Sequence, residues 1–198
     1  MKNRIREVFI MAAHNPLALG LILVGIFGLL FAWYLYGVLK NKKQDKKENK
    51  AFGIAFCVAS FVGFIFLIQL YFFVPIPVQY IEIYGVGYAM FSIAMLILGI
   101  QLLKGVETTS ARYLASVIGI VLLWLAYVVS KYNLSKSPIA TMFLLGLPGV
   151  AAFLFPGIKN KKILIIVMLL FFVFGALALY SGLNALDGHV ASALAPQT

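Results

Sequence analysis

The sequence predicts an all-α fold: a polytopic membrane protein whose six transmembrane helices form a compact bundle. Of the 198 residues, 63% are hydrophobic and 11% are charged, and the mean hydropathy is +1.02. Soluble domains are nearer half apolar and a quarter charged, so this chain lacks the polar residues that a surface in water requires. The single cysteine, Cys57, excludes a disulfide-stapled domain. A transmembrane β-barrel is excluded because its strands alternate, whereas these apolar runs are continuous.

Six apolar stretches reach the length of about 20 residues that a helix needs to cross a hydrocarbon core of ~30 Å. Charge, proline or glycine bounds each of them, as at helix ends. The predicted spans are residues 17–39, 51–74, 81–103, 113–130, 138–158 and 163–186. Residues 1–16 then form an N-terminal tail or an interfacial helix, and residues 187–198 form a C-terminal tail.

The first three spans have clear boundaries. Asn15 and Pro16 supply an N-cap and a first-turn proline for the first span. Its apolar run is longer than the ~7–15-residue core of a signal peptide, so it is interpreted as a membrane span. A lysine-rich segment, residues 40–50, separates it from the second span. Pro75 and Pro77 predict a tight turn between the second and third spans.

The last three spans are bounded in the same way. The fourth span ends before Lys131, and Ser137 with Pro138 opens the fifth. Pro156 and Gly157 close the fifth span before a short basic loop, after which the sixth begins.

The basic residues predict an orientation. Most of the 16 Lys and Arg residues fall in loops 40–50, 104–112 and 159–162. The positive-inside rule places these loops in the cytoplasm and both termini outside the cell membrane, against the basic N-terminal residues. Such lysines also attract anionic lipids, so the net charge of +10 indicates lipid partners rather than nucleic acid. The packing surfaces of a membrane bundle also suit another membrane protein or a second copy of the chain as a partner.

Small residues recur on one side of four predicted spans. In lipid, helices associate through small residues that let their backbones approach, so these stripes predict packing faces. They are Ala18, Gly25, Gly28 and Ala32; Gly85, Ala89, Ser92 and Gly99; Ala115, Gly119 and Ala126; and Gly175, Ala178, Gly182 and Ala185.

Two ionisable residues extend these faces towards the outer end. Glu82 precedes Gly85 by three positions and His189 follows Ala185 by four, so each continues a packing face if its helix persists. An ionisable residue that faces a membrane bundle is a candidate functional group. We hypothesise a Glu82–His189 pair at an outer vestibule, with Gln69 as a further candidate ligand-binding residue. The alternative is that Glu82 lies among hydrated headgroups and His189 in a frayed tail.

A second feature is a candidate helix break at Gly146, Pro148 and Gly149, near the middle of the fifth span. Broken helices can mark transport sites, so a small transporter or channel is an alternative function. A plain proline kink explains the same residues. Coupled transporters also usually carry an acid or base at mid-membrane, and no span has one there.

Familiar catalytic motifs are missing: the chain has no Walker loop, HExxH, CxxC pair or dinucleotide fingerprint. No cofactor or metal is predicted. A haem held by His14 and His189 is not favoured, since His14 precedes the first helix and lacks a rigid position. A membrane redox or quinone-associated subunit, with Glu82 and His189 exchanging protons, is a further alternative.

Several short motifs carry a family resemblance. The run from Pro75 through Tyr80 and Gly85 to Lys104, the segment 134–138 and the Gly-His ending at His189 resemble an uncharacterised archaeal and bacterial membrane-protein family. That family is catalogued only as a domain of unknown function. The resemblance implies that members of that family carry a Glu at the position of Val86 and a His at the position of Gln69. If the family uses that His and Glu together at an outer site, the absence of the His in this chain argues against metal binding there.

These observations favour an integral membrane protein without catalytic activity. It would assemble with partners or bind a lipid or small ligand at its outer end. The transporter or channel and the redox or quinone subunit remain the alternatives.

Overall fold

The structure, a computed structural model, describes the backbone of residues 16–40, 45–72, 78–135 and 137–194. Side chains are described for residues 17–40, 45–72, 81–135 and 137–188. The helices are α1 (Pro16–Lys40), α2 (Lys46–Phe72), α3 (Val78–Lys104), α4 (Thr109–Tyr132), α5 (Pro138–Leu154) and α6 (Lys161–Leu194). A short 3-10 helix, Phe155–Lys159, joins α5 to α6.

All six helical segments are long and apolar enough to cross a membrane, α5 being counted together with its 3-10 extension. The predicted fold class, a six-helix membrane bundle, is therefore confirmed. Large apolar side chains remain exposed along the spans, which suits helices whose outer faces meet lipid.

The bundle is built from three helix pairs: α1 with α6, α2 with α3, and α4 with α5. In each pair, a glycine of one helix contacts a glycine of the other where the two helices cross. These contacts are Gly25–Gly175, Gly53–Gly99 and Gly119–Gly149. A Cβ atom at Gly53 would lie 2.9 Å from the carbonyl oxygen of Gly99, and one at Gly119 would lie 2.6 Å from that of Gly149. The small-residue stripes that contain Gly25, Gly99, Gly119 and Gly175 are thus confirmed as packing faces.

The helices of each pair are antiparallel, because the contacting positions fall in number on one helix as they rise on the other. Ser60 Oγ of α2 donates a hydrogen bond of 2.7 Å to the carbonyl oxygen of Ser92 of α3, both residues being buried. Gly53 meets Gly99 nearer the opposite end of this pair. The alternation brings the Lys-rich helix ends together, and we call this side the basic end. The opposite side carries Tyr71, Tyr84, Tyr127 and Tyr132 and is called the tyrosine end.

An aromatic core joins the pairs in the half of the bundle nearer the basic end. The Phe31 ring of α1 meets the Phe171 ring of α6 edge to face at 4.6 Å between centroids. It also contacts Phe56 of α2 at 5.8 Å and Phe155 of the 3-10 helix at 5.5 Å. Such ring pairs add stabilisation beyond their buried area, so Phe31 holds the three helix pairs together.

Helix α5 is not interrupted at Gly146, Pro148 and Gly149, where the sequence predicted a candidate break. The helix runs continuously from Pro138 to Leu154 with Pro148 inside it. A proline without an N–H removes one hydrogen bond, and a packed helix tolerates that loss. The helix tightens into the 3-10 turn only after Leu154.

Three helix ends extend four or more residues beyond the predicted bounds. Helix α2 begins at Lys46 and α4 at Thr109, so polar first turns precede the apolar runs. Helix α6 continues to Leu194, beyond the predicted limit at residue 186. Hydropathy marks where a segment is apolar, whereas a polar turn can extend the same helix into water. Gly105, with φ of 65°, ends α3 in a conformation that other residues adopt rarely.

Candidate functional site

The residues predicted to form an outer site lie at the tyrosine end. Glu82 is exposed near the start of α3, and Gln69 is half-buried near the end of α2. Gly85, three residues after Glu82, packs against the Tyr71 ring, since a Cβ atom there would lie 2.8 Å from that ring. The side chain of His189 lies outside the described residues. The Glu82–His189 pair therefore stays a prediction.

A different polar group forms where α3 meets α5. The hydroxyl oxygen of Tyr84 lies 3.3 Å from Thr141 Oγ1, and Ser135 Oγ lies 2.8 Å from the same atom. The backbone N–H of Ser137 donates to Ser135 Oγ over 3.2 Å. We call Tyr84, Ser135 and Thr141 the hydroxyl cluster. Because each hydroxyl can donate and accept, the cluster suits an uncharged polar group such as a carbonyl or hydroxyl.

The start of α5 positions this cluster. Pro138 occupies the first turn after Ser137, where a missing N–H costs no helical bond. One turn later Thr141 faces inward and is 4% exposed. The backbone N–H of Thr141 donates to the Ser137 carbonyl over 3.0 Å, which fixes the first turn and with it the Thr141 side chain.

Two apolar cavities of about 50 Å³ and 60 Å³ lie where the helix pairs meet. Phe91 of α3, Leu122 of α4 and Pro148 of α5 line both of them, and we call this shared region the central seam. Tyr84 of the hydroxyl cluster lines the second cavity, as does Tyr88. The described residues that line the two cavities carry no charged side chain. The seam is therefore an apolar space with hydroxyl groups at its tyrosine end.

Contacts between the helix pairs differ in tightness around this space. At Gly20 of α1, a Cβ atom would lie 2.9 Å from the Tyr88 hydroxyl oxygen and 2.8 Å from the Phe66 ring. The glycine thus makes room for both rings beside the seam. At Gly87 of α3, a Cβ atom would meet only Leu122 and Leu145, at 3.8 Å, an ordinary contact. Packing of α1 against the α2–α3 pair is therefore tight at Gly20, whereas packing of α3 against α4 and α5 is looser at Gly87.

Sequence reasoning singled out Pro148 but not the hydroxyl cluster. Ser135 lies in the segment 134–138 that carries the family resemblance, and Ser137 with Pro138 marks the start of the fifth span. Pro138 after Ser137 was a helix-start signal, which places position 141 one turn inside. Its pairing with Tyr84 depends on how α3 packs against α5.

Among the residues that the structure describes, no group of three or more His, Cys, Asp or Glu side chains is placed to hold a metal ion. Cys57 lies in the α2–α3 pair, where its Sγ atom is 2.8 Å from the position of a Cβ atom at Gly99.

Six apolar helices, paired through glycine and enclosing an uncharged seam, define a multi-pass α-helical membrane protein. The chain matches the family described as "Protein of unknown function (DUF981)" over residues 11–192, and it belongs to that family. The resemblance to a family of unknown function is thereby confirmed. No curated protein and no solved structure matches the chain.

Proposed function

We propose that this protein binds a lipid-like molecule inside the bundle without transforming it chemically. The apolar part of the ligand occupies the central seam, and its polar part meets the hydroxyl cluster at the tyrosine end. The observation that carries the proposal is that one continuous lining, through Phe91, Leu122 and Pro148, serves two cavities of which one reaches Tyr84.

The size of the seam favours a slender ligand. Pockets for drug-sized molecules are usually about 300–1,000 Å³, much larger than either cavity. A single acyl or prenyl chain fits the narrow space better than a ring-based cofactor.

The lining also favours an uncharged polar group at the end of this chain. Tyr84 lines the second cavity, and its hydroxyl contacts Thr141, which Ser135 also contacts. Glu82 is exposed and does not line the cavity. A hydroxyl cluster can bind an ester carbonyl or an alcohol without the desolvation cost of an ion. The Glu82–His189 pair, if formed, would lie at the same end and add a second polar contact.

The orientation belongs to this proposal. The described Lys residues lie at the basic end apart from Lys131, which suits a cytoplasmic location of that end under the positive-inside rule. Both termini and the hydroxyl cluster would then face the outside of the cell membrane, and the ligand would enter from the outer leaflet.

Two alternative functions can be distinguished from lipid binding. The transporter or channel hypothesis rested on a broken fifth helix, and α5 is continuous. Assembly with another membrane protein or a second copy would place a partner helix, rather than a lipid chain, against the bundle. A co-purified lipid distinguishes ligand binding from assembly.

The test compares two substitutions on α4. Leu122 is 5% exposed and lines both cavities, whereas Ile120 is 55% exposed on the same helix. The protein is purified in mild detergent, and bound lipids are extracted, identified and quantified by mass spectrometry. We expect the wild type and Ile120→Phe to retain one class of amphiphile, and Leu122→Phe to lose it. Equal retention by both variants, or no amphiphile on the wild type, would contradict the proposal.

A further inference from the structure

Arg112 is a buried cation at the basic end, in the first turn of α4. Its side chain is 8% exposed. Nη2 donates a hydrogen bond of 2.9 Å to Thr109 Oγ1, while Nε is buried without a partner among the described residues. A buried charge without a counter-charge is costly, because water no longer solvates it.

The acidic group linked to Arg112 through Thr109 does not neutralise it directly. The Thr109 hydroxyl, which accepts from Arg112, donates to Glu107 Oε2 over 3.1 Å. Glu107 is exposed, so water screens its charge. The guanidinium therefore keeps donor capacity that no described carboxylate takes up.

Arg112 lines a cleft of about 150 Å³ together with Thr109, Tyr113, Pro156 and Lys159. One water molecule needs about 10–15 Å³ of such volume, so the cleft has room for a small polyatomic anion. Two of its five lining residues are cations, and Lys159 lies on the 3-10 helix opposite α4. The cleft thus joins a buried Arg, an exposed Lys and a hydroxyl group.

The N-terminus of α4 adds further donors beside this cleft. The helix has 24 residues and no acidic residue in its first turn, and the side chain of the N-cap residue, Thr108, makes no capping hydrogen bond. The backbone N–H of Arg112 already donates to the Thr108 carbonyl over 3.0 Å, so the amides of residues 109–111 are the ones left without a helical acceptor. Such a helix end favours an anion.

We propose that this cleft binds a phosphate group. A guanidinium offers parallel N–H donors that match two phosphate oxygens, and a lysine and a helix N-terminus supply charge and donors for the others. The phosphate comes either from the headgroup of an anionic lipid or from free inorganic phosphate. The proposal is independent of the ligand in the central seam, which lies among uncharged residues.

The experiment measures binding of two probes to the purified, full-length protein in neutral detergent. Dioleoylphosphatidylglycerol is titrated by native mass spectrometry, and inorganic phosphate by calorimetry. Binding of the lipid alone identifies a headgroup site, and binding of inorganic phosphate identifies a site for the free anion. Binding of neither probe overturns the proposal.

Matched variants locate the binding. Losing a charge-assisted hydrogen bond weakens binding about tenfold or more, and we expect this of Arg112→Gln with whichever probe binds. Lys104→Gln removes one charge from the same end outside the cleft, and we expect it to change affinity less than about twofold. Equal losses in the two variants would show nonspecific charge attraction and overturn the proposal.

Two further variants keep the test decisive if Arg112→Gln fails to fold. Arg112→Lys retains the charge but not the planar fork, so we expect an intermediate loss of affinity. Lys159→Gln changes an exposed residue and should fold normally. A loss for Lys159→Gln that exceeds the loss for Lys104→Gln supports the cleft. Equal affinities of these two variants contradict it.

Discussion

Gly25 of α1 and Gly175 of α6 lie face to face, so that a Cβ atom added at either one would lie 2.9 Å from the carbonyl oxygen of the other. The contact is between backbones, which cannot move aside as a flexible side chain can. Both helices therefore depend on the absence of a side chain at these positions. The same arrangement recurs at Gly53–Gly99 and Gly119–Gly149.

The first prediction concerns this backbone contact. Gly25→Ala would place a Cβ atom 2.6 Å from the Leu179 backbone nitrogen, so α1 and α6 must separate. We expect a loss of about 1–3 kcal/mol, the usual cost of overpacking, measured as a lower melting temperature in detergent. Gly146→Ala is the control, since a Cβ atom there meets nothing within 4 Å. It should be neutral or stabilising by up to about 1 kcal/mol. Equal effects of the two substitutions would exclude the contact.

The second prediction concerns the hydrogen bond between α2 and α3. Ser60→Ala removes the buried 2.7 Å bond to the Ser92 carbonyl. Interhelical hydrogen bonds in membranes average about 0.6 kcal/mol and reach about 1.7 kcal/mol, and we expect a loss in this range. Ser116→Ala removes an exposed bond of 3.2 Å to the Phe153 carbonyl and should cost less. Thermal unfolding of both variants measures the difference, and a larger loss for Ser116→Ala would refute the expectation.

The third prediction rests on the proposed lipid ligand. Tyr84→Phe keeps the ring in the seam but removes the hydroxyl beside Thr141. A hydrogen bond to a neutral group contributes about 0.5–1.5 kcal/mol, so we expect the variant to retain the co-purified amphiphile several-fold less well. Tyr127→Phe, on the exposed side of α4, should retain it normally. Quantitative mass spectrometry of the bound lipid compares them, and unchanged retention by Tyr84→Phe would remove the hydroxyl cluster from the site.

The fourth prediction concerns orientation. With Cys57→Ala as the background, a cysteine is introduced either by Lys104→Cys at the basic end or by Tyr132→Cys at the tyrosine end. The positive-inside rule predicts that a membrane-impermeant maleimide labels the second variant on intact cells. The first should react only after permeabilisation. The reverse pattern would invert the topology without changing the fold.

The interhelical contacts show how far sequence patterns reach. The stripes containing Gly25, Gly119 and Gly175 predicted which face of each helix would pack. They did not predict that Gly25 would meet Gly175, because glycine on one helix fits glycine on any other. Partner choice depends on the shapes of the neighbouring larger side chains, which pack together only in the folded bundle.

Arg112 shows why polar sites are harder to predict. The apolar run of the fourth span begins at residue 113, so hydropathy assigned Arg112 to a basic loop. The helix starts four residues earlier, at Thr109, and its first turn carries the guanidinium into a cleft against the 3-10 helix. Hydropathy averages residues along the chain, whereas the cleft depends on residues far apart in sequence.

The amino-acid sequence alone determined that this protein lies in a membrane and crosses it with six helices. That conclusion holds because the free energy of transferring side chains into lipid adds up residue by residue along a segment. Only the tertiary structure decided which helices pair, that α5 continues through Pro148, and that Tyr84 meets Thr141. The physical reason is that these features depend on distances of a few ångströms between separate helices, which packing of the whole bundle sets.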